Sequence, residues 1–423
     1  MAIASHISNK VERTMRSPFL SPEEAQQIVL SNIAPLGVER VSLIDALDRL
    51  MASDIVARHD NPPLDNSAMD GYAVRHEDVS HASPSSPVRL TAIEEIPAGH
   101  VPMKTVGKDE ASRIMTGAPL PAGTDTVVRV EYTETQVDAV DIMTPEEKGA
   151  NIRRRGEDIR ANTTLIVKGT RCESGELGLL AAQQHSVVPV YRRPTIAILS
   201  TGDELVDLSE PLAEGKIVDS NTYALAALCR SHGAVPWMLP IVRDTEESTR
   251  QAVETALAAD FILSSGGVSV GKYDHIKTVL DQMGAEVALW RVAMKPGKPL
   301  FFCTLQSTPY FGLPGNPVSS MMSFLQFVRP AIRKASSFPE KDWLLPQTRA
   351  ILLHAVENIG DRREYLRARL VYEEGRLKAT PFKVQGSHML TSMLGANGIV
   401  VLDPEESVLE GDEATVQIIS RIL

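Results

Sequence analysis

Short runs of almost wholly apolar residues alternate with amphipathic segments between residues 191 and 336. The runs are TIAILS, VPWMLPIV and DFILSS, and the segments between them, NTYALAALCRSHG and TEESTRQAVETALAA, have apolar residues at helical spacing. Fully apolar strands that alternate with helices are typical of a parallel sheet covered by helices on both faces. The pattern predicts an α/β domain over residues 191–336.

The segments on either side of this region have different patterns. SPEEAQQIVLSNI predicts a helix with Ser21 as its N-cap and Glu24 completing a capping box, and a second helix is expected over LIDALDRLM. Residues 51–149 alternate short apolar runs with proline and glycine, which predicts a small β domain. Residues 337–423 lose helical periodicity and predict the strands of a separate β barrel or sandwich.

Composition and charge restrict the class of protein. The chain has 423 residues, of which 43% are hydrophobic and 23% charged, as expected for a globular protein of several domains. Its net charge of −11 disfavours binding to nucleic acid or to an anionic membrane. No window approaches 18 apolar residues, and residues 1–17 resemble a loose leader more than a secretory signal. Three widely spaced cysteines are expected to be free thiols in a cytoplasmic protein.

Three predicted strands of the α/β region end in unusual loops. TIAILS runs into 201–204, DFILSS into 266–271, and PYFGL into 314–317. Each loop alone is more often a turn than a ligand site, but ligands of an open parallel sheet bind beyond the carboxyl ends of its strands. Glycines also let backbone N–H groups approach an anion closely, so the three loops together predict a pocket for a phosphorylated ligand. Its candidate residues are Gly266, Gly267, Ser269, Gly271, Pro314, Gly315, Asn316 and Pro317.

The glycine loop spells G-x-x-x-x-G-K until Tyr273, where a P-loop requires Ser or Thr to hold magnesium. Several acids follow the strand ends instead, and carboxylates beside a phosphate repel it unless a hard cation lies between them. The sequence therefore predicts a magnesium site, with a solvated helix cap as the alternative for each acid singly. The candidate ligands are Asp203, Glu204, Asp244 and Asp274.

Three further stretches carry more polar residues than packing requires. RVAMKPGKPLFF places Arg291, Lys295 and Lys298 around stiffening prolines, which is consistent with oxyanion binding or with an exposed hairpin tip. DNPPLDNSAMDGYAVR contains Asp70, and RIMTGAPLP contains Thr116 before a glycine turn. NIRRRGEDIR contains three arginines beside Glu157 and Asp158, and a solvated charged face is the alternative interpretation there.

These stretches occur together in one order: DNSAMDGYAVR, RIMTGAPLP, NIRRRGEDI, STGDEL, SSGGVSVG, MKPGKP and GLPGNPVS. In that order they resemble the molybdopterin molybdenumtransferase family, which includes bacterial molybdate-insertion enzymes and the E domain of gephyrin. The resemblance runs from about residue 20 to the end of the chain. One departure is His275 after Asp274, where relatives usually carry Tyr or Phe, and it is expected to change how the loop stacks on its ligand.

The resemblance implies a multidomain α/β fold. Its parts are a parallel-sheet molybdopterin-binding domain, an inserted β domain, an elongated helical segment and a C-terminal β barrel. On this chain, they correspond to 191–336, 51–149, the two pieces 18–50 and 150–190, and 337–423. The resemblance also implies a homodimer, with each active site formed by the α/β domain of one subunit and the inserted β domain of the other.

The activity implied by the resemblance is magnesium-dependent insertion of molybdate into adenylylated molybdopterin, with release of AMP and molybdenum cofactor. The glycine loop and 314–317 would hold the pterin and its phosphate, and the four acids would hold Mg²⁺ against the pyrophosphate. The three basic residues of RVAMKPGKP would attract molybdate, with Ser387 and Arg367 as further candidates. The residues implied to act directly in catalysis are Asp70, Thr116, Asp158, Glu204, Asp244 and Asp274.

Two other functions are compatible with the same features. A smaller protein of similar α/β fold adenylylates molybdopterin, but the additional domains of this chain argue against that function. A non-catalytic scaffold of the gephyrin type is the second alternative. The sequence does not decide whether the oxyanion is molybdate or tungstate. It also leaves open whether the molybdopterin adenylyltransferase and the molybdoenzyme acceptors are partners.

Overall fold

The computed structural model describes residues 19–267, 275–420 and 422. The chain forms two compact units. The larger unit comprises Met1–Arg40, Asp48–Leu50 and Pro189–Leu423, and the smaller unit comprises Val41–Leu47 and Met51–Val188. The predicted leader and three predicted site residues, Ser269, Gly271 and Asp274, lie outside the described residues.

Helices among the described residues begin largely where the sequence predicts. Ser21 caps α1 (Pro22–Ser31), with the Ser21 Oγ accepting the N–H of Glu24 and the Glu24 carboxylate accepting the N–H of Ser21, so the predicted capping box is confirmed.

Within the described ranges, no helix combines the length and apolar character needed to cross a membrane. Numbered along the chain, the helices are α1 (Pro22–Ser31), α2 (His76–Val79), α3 (Ser174–Ala182), α4 (Ser220–Ser231), α5 (Glu246–Ala256), α6 (His275–Gln282), α7 (Pro317–Ser323) and α8 (Arg329–Ala335).

The helix predicted over LIDALDRLM is wrong. This stretch contains only a single 3₁₀ turn, Ile44–Ala46, and the φ angle of Asp48 is 63°, which a helix interior does not allow. Ile44 and Leu47 are exposed, so their spacing does not form a buried face. Residues 18–50 and 150–190 each contain one α-helix, α1 and α3, together with short strands. The elongated helical segment therefore stays a prediction.

A six-stranded sheet forms the centre of the α/β region in the larger unit. Its strands, in spatial order, are β16 (Val235–Met238), β13 (Thr195–Ser200), β17 (Phe261–Ser265), β21 (Thr308–Leu313), β20 (Phe301–Leu305) and β18 (Glu286–Trp290). The first four are parallel, as predicted, whereas β20 and β18 are antiparallel to their neighbours. The sheet is mixed because β20 and β21 form a hairpin whose two turn residues, Gln306 and Ser307, both have positive φ.

The central strands are apolar throughout because both faces of the sheet are covered. Ile196 and Ile198 face a core that includes residues of α4 and α7, while Ala197 and Leu199 face one that includes residues of α5 and α6. This two-sided burial is what the uniform hydrophobicity of TIAILS predicts. β16 differs from that expectation, since it lies at the sheet edge and Val235 is half-exposed.

A five-stranded barrel follows the α/β region within the larger unit. Each strand pairs with the next in the order β24, β25, β22, β28 and β26, and β26 pairs back with β24, which closes the barrel. β19 adds to the side of β24 in parallel orientation. The strands are β19 (Met294–Lys295), β22 (Gln347–Leu352), β24 (Arg363–Glu373), β25 (Arg376–Pro381), β26 (Gly398–Leu402) and β28 (Glu413–Ile418).

The smaller unit is built on a second six-stranded sheet, which lies within the stretch 51–149 where the sequence predicts short strands, and a separate domain with those bounds stays a prediction. In spatial order its strands are β7 (Thr126–Arg129), β4 (Gly71–Val74), β6 (Glu110–Ile114), β5 (Val88–Ile96), β9 (Ala139–Ile142) and β8 (Thr133–Gln136).

The other described strands, from both units, form two-stranded pairs. These are β1 (Val38–Ser42) with β12 (Val187–Tyr191), β2 (Ile55–Val56) with β11 (Thr164–Ile166), β3 (Asn66–Ser67) with β10 (Ile152–Arg153), β14 (Leu205–Val206) with β15 (Ile217–Val218), and β23 (Val356–Glu357) with β27 (Ser407–Val408).

Two glycines of the smaller unit provide a matched test of this packing. A Cβ on Gly71 would lie 2.0 Å from the carbonyl oxygen of Val128, on the paired strand, whereas a Cβ on Gly178 in α3 would meet no atom within 4 Å. We expect Gly71→Ala to lower the free energy of unfolding by about 3 kcal/mol, because the strands must separate. Gly178→Ala should raise it by about 0.5–1 kcal/mol, because alanine favours the helix. Urea unfolding measures both, and equal effects would contradict the close approach of the strands.

Candidate functional site

The carboxyl ends of β13, β17 and β21 bring two of the predicted ligand loops together in the larger unit. The Gly266 N–H donates to the Leu313 carbonyl at 3.1 Å, and the Thr201 N–H donates to the Ser265 carbonyl at 3.5 Å. A Cβ built on Gly315 would have the Gly266 Cα as its nearest neighbour, at 3.7 Å. The first glycines of the 266–271 loop therefore lie against the 314–317 loop, as the sequence predicts.

Glycine is required at the start of the first loop. Gly266 and Gly267 have φ angles of 87° and 66°, in the left-handed region that favours glycine. A Cβ on Gly267 would also lie 2.5 Å from the Ile276 Cδ1 and 3.0 Å from the Thr201 Oγ1. The Gly267 backbone therefore packs against the Ile276 side chain of α6, which would have to shift to accept a Cβ at this position.

Two of the four predicted magnesium ligands face each other. The Asp203 N–H donates to an oxygen of Asp244 at 3.2 Å, and the Asp244 N–H donates to an oxygen of Asp203 at 3.4 Å. The Glu204 side chain folds back over Gly202, where a Cβ would lie 2.4 Å from its Oε2. Across the described parts of the chain, no three His, Cys, Asp or Glu side chains are grouped so as to hold a metal ion.

Ser387, from the segment between β25 and β26, contacts the 314–317 loop. Asn316 is the N-cap of α7, and its Nδ2 donates to the Ser387 Oγ at 3.2 Å. The Ser387 carbonyl accepts the N–H of Val318 at 3.1 Å. The predicted pterin loop and the predicted anion contact from the last domain therefore adjoin.

Next to Ser387 the structure places a buried cation, Arg367. This side chain is fully buried, and its guanidinium donates to the Ser392 Oγ and to the Gly386 carbonyl. Burial lowers the pKa of Arg367 to about 10. Its second terminal nitrogen, Nη1, has no hydrogen-bond partner among the described residues, so both N–H groups of one nitrogen of a buried cation are left without an acceptor.

The basic residues of RVAMKPGKP lie between the sheet and the barrel of the larger unit. Lys295 is on β19, and its Nζ donates to the Glu364 carboxylate at 2.6 Å. The Lys298 Nζ lies 4.7 Å from the centre of the Phe19 ring. Arg291 has a φ angle of 70°, and its N–H donates to the Leu300 carbonyl. Lys295 is therefore ion-paired with a carboxylate, which the sequence did not predict.

In the smaller unit, Asp70 and Thr116 form a direct contact across 46 residues of sequence. One Asp70 oxygen accepts both the N–H of Thr116, at 2.7 Å, and its Oγ1–H, at 2.8 Å. These bonds lower the pKa of Asp70, with a smaller contribution from the charge of Arg113. Both residues are exposed, so a carboxylate held in one orientation faces solvent.

The 60–70 and 151–160 segments pair in the same unit. β3 and β10 align Ser67 with Ile152, and the Asn61 Nδ2 donates to the Asp158 carboxylate at 2.8 Å. The arginines of NIRRRGEDIR are not merely solvated, because Arg154 and Arg155 bind the carboxylates of Asp65 and Asp60. The Ala161 N–H and the Arg155 guanidinium lower the pKa of Asp60. Asp158 therefore has a fixed place, in a loop held by ion pairs.

The sequence did not predict the contacts that the first turn of α4 makes with the ligand loops. Asp219 caps this helix, and the side chain of Asn221 reaches the ends of two other strands. The signal available was DSNT directly before an apolar helical pattern, which indicates a cap and not a ligand contact. Glu364 and Ser392 were missed as well, because their contacts to Lys295 and Arg367 join distant parts of the chain.

Sequence comparison covers nearly the whole chain. Residues 20–183 match the MoeA N-terminal region (domain I and II), residues 197–334 a probable molybdopterin binding domain, and residues 349–419 the MoeA C-terminal region (domain IV). A molybdopterin molybdenumtransferase of Nostoc is 39% identical over 93% of this chain and 92% of its own. One from Bacillus subtilis is 36% identical over 86% of this chain and 85% of its own.

The chain belongs to the molybdopterin molybdenumtransferase family. Its fold agrees with that of solved MoeA proteins. A molybdopterin biosynthesis MoeA protein from Pyrococcus horikoshii matches with a TM-score of 0.79 and 33% identity, covering 96% of this chain and all of that one. The resemblance noted from the seven ordered motifs is therefore confirmed, as is the multidomain fold with a closed barrel.

The contact between Asp70 and Thr116 in this family member is testable by titration. Thr116→Val removes the hydroxyl bond but keeps the N–H bond, so the pKa of Asp70 should rise towards its ordinary value of 3.8. Because the folded pKa is depressed, the stability from this pair is present above the unfolded pKa and is lost as pH falls through the folded pKa. Carboxyl ¹³C NMR titration measures the shift. Thr124→Val, whose hydroxyl donates to the Pro121 carbonyl, is the control and should leave it unchanged.

Proposed function

We propose that the protein inserts molybdenum from molybdate into adenylylated molybdopterin in a magnesium-dependent reaction that releases AMP and molybdenum cofactor. The observation that supports this most directly is the grouping of two glycine-containing loops and the facing acids Asp203 and Asp244 beyond the carboxyl ends of the parallel strands. A phosphorylated ligand and a hard cation are the species that such a site suits. Relatives named for this activity share the sequence over most of its length.

Magnesium fits the acids that the structure brings together. Asp203 and Asp244 each accept one backbone N–H, which orients their carboxylates without neutralising them. Mg²⁺ is commonly bound through one or two carboxylates with substrate phosphate oxygens and water as the other ligands. These two residues would hold the ion, with Glu204 beside them and Asp274 as the fourth member of the proposed set. The bound ion would neutralise charge on the phosphoanhydride during its cleavage.

The two glycine-containing loops are assigned to the pterin and its phosphate. The Gly266 N–H is bonded to the Leu313 carbonyl, so the donors assigned to the anion are those of the loop residues after it, and Asn316 and Pro317 begin a helix at the same edge. Backbone donors of this kind bind anions without adding charge. We assign Ser269 and Gly271 to the same loop, together with Pro314 and Gly315.

Molybdate is assigned to the side of the site formed with the barrel. Arg367 keeps an unpartnered donor on a buried cation, and Ser387 lies one residue beyond the Gly386 carbonyl that Arg367 contacts. Arg291, Lys295 and Lys298 supply further positive charge for the approaching oxyanion. Since Lys295 is paired with the Glu364 carboxylate, it is oriented for this task at reduced net charge.

Catalysis is attributed to positioning and electrostatics, because the thiols of the chain are poorly suited as nucleophiles. All three cysteines are buried, and burial raises the pKa of Cys229 to about 12. Fixed cations and backbone donors instead stabilise the charge that develops on the transferring oxyanions.

We further propose a cytoplasmic homodimer in which Asp70, Thr116 and Asp158 complete the active site of the partner subunit. Their support is the fixed, solvent-facing carboxylate of Asp70 and the ordered loop that holds Asp158. The reaction places this protein after a molybdopterin adenylyltransferase and before the molybdoenzymes that accept the cofactor, and both are proposed as partners.

The acids provide a direct test of the magnesium proposal. Asp203→Asn and Asp244→Asn keep the shape of each side chain but remove its charge, so molybdate-dependent AMP release should fall by about 100-fold or more. Raising the Mg²⁺ concentration should restore part of the rate. Glu254→Gln, on the exposed side of α5, is the charge-matched control and should behave as wild type.

Several outcomes would redirect the assignment. Normal turnover by both Asn variants, together with normal turnover by Glu204→Ala and Asp274→Ala, would remove the catalytic proposal and favour a scaffold. Formation of an AMP adduct from molybdopterin and ATP without another protein would favour the adenylyltransferase. Parallel reactions with tungstate determine the choice of oxyanion.

Arg367 tests the proposed oxyanion contact. Arg367→Lys keeps a buried cation but loses the planar donor set, so KM for molybdate should rise about tenfold. Arg349→Lys, an exposed barrel arginine that donates to the Glu413 carbonyl, is the matched control. An unchanged KM for molybdate in a folded Arg367→Lys protein would contradict this assignment.

A further inference from the structure

The first turn of α4 is tied to the end of β13. The Asp219 carboxylate accepts the N–H of Thr222 at 3.1 Å and its hydroxyl at 2.7 Å. The Thr222 Oγ1 in turn lies 2.7 Å from the Oγ of Ser200, the last residue of β13. All three side chains are buried, so the helix start is fixed relative to the sheet edge that carries the ligand loops.

Asn221, on that same turn, connects the two ligand loops. Its Nδ2 donates to the Ser265 Oγ at 2.7 Å and to the Gly315 carbonyl at 2.7 Å. Because a carbonyl oxygen only accepts, the Gly315 contact fixes which end of the amide carries the nitrogen. Ser265 directly precedes Gly266, so one side chain holds the start of the glycine loop and the middle of the 314–317 loop.

The loops approach each other through Gly315 and Gly266, neither of which has a side chain to act as a spacer. The Asn221 Oδ1 is buried and has no hydrogen-bond partner among the described residues. A buried acceptor left unpaired is costly, which indicates that the amide is kept for the two bonds that its nitrogen makes.

We propose that Asn221 is a positioning residue, which sets the separation of the glycine loop and the 314–317 loop and so the affinity for adenylylated molybdopterin. The inference rests on the proposed function for the identity of that ligand. Asn221 acts through Ser265 and Gly315 and not on the reacting atoms. The interaction it supports is therefore the same in the ground state and the transition state, and affects KM more than kcat.

Asn221→Asp is the sharpest test, because it keeps the size of the side chain and replaces the donor with an oxygen. That oxygen would face the Gly315 carbonyl, and their repulsion should open the gap between the loops. We expect KM for adenylylated molybdopterin to rise about tenfold or more while kcat changes by less than about threefold. Asn221→Ala should shift KM in the same direction, and Ser265→Ala, which leaves the Gly315 bond intact, should shift it less.

The matched control is Asn32→Asp. The Asn32 Nδ2 also donates to a backbone carbonyl, that of Ile28, but it does so at the C-terminal end of α1. Its KM and kcat should equal those of wild type. If Asn221→Asp and Asn221→Ala also retain the wild-type KM, Asn221 does not position the loops and the inference is overturned.

Amide hydrogen exchange of the substrate-free protein tests the same inference without any ligand. The backbone amides of residues 265–267, 315 and 316 should exchange faster in both Asn221 variants and at the wild-type rate in Asn32→Asp, and unchanged exchange in the Asn221 variants would overturn the proposal. Wild-type protein that neither binds adenylylated molybdopterin nor releases AMP would instead contradict the proposed function. In that case the exchange rates alone decide the role of Asn221.

Discussion

The parallel alignment of β13, β17 and β21 is the constraint on which the proposed site depends. Parallel strands deliver their carboxyl ends to one edge of the sheet, so the loops of Gly266 and Gly315, 49 residues apart in sequence, meet there. Both faces of these strands are buried, and β17 pairs with β21 in a register that sets Ser265 opposite Leu313. The close approach of Gly266 and Gly315 follows from that register and from the absence of side chains at both positions.

The net charge of the protein has the same sign as the ligands proposed to bind at this edge of the sheet. The protein is acidic overall, yet its proposed ligands are anions, so attraction has to come from local groups. In the proposed site, backbone N–H groups would supply it without the desolvation cost of further ionised side chains. Among the cations assigned to molybdate, Arg367 differs in being fully buried, and the partners of its guanidinium among the described residues are a serine hydroxyl and a backbone carbonyl. Burial removes the guanidinium from water, which costs stability and lowers the pKa of Arg367. A bound anion would offset that cost.

The sequence predicted those features that depend on local pattern. The apolar strands, the capping box of α1, the β domain and the barrel strands all follow from periodicity and turn residues within short windows. The helix expected over LIDALDRLM failed because the positive φ of Asp48 interrupts it and because Ile44 and Leu47 are exposed instead of forming a buried face. The antiparallel strands β20 and β18 depend on a hairpin that local hydrophobicity does not encode. Contacts such as that of Lys295 with Glu364 join residues far apart in sequence, so only the folded chain reveals them.

The pairing of β19 with β24 joins the C-terminal barrel to the α/β region through backbone hydrogen bonds, so the barrel is not structurally independent. β19 belongs to the stretch that links β18 to β20, yet its backbone bonds are made with a barrel strand, and Ser387 reaches from the barrel segment to the cap of α7. Deleting the barrel would remove the strand that pairs with β19 and the Ser387 contact at the N-terminus of α7. Evolutionary loss or exchange of this module would therefore require redesign of the α/β region itself.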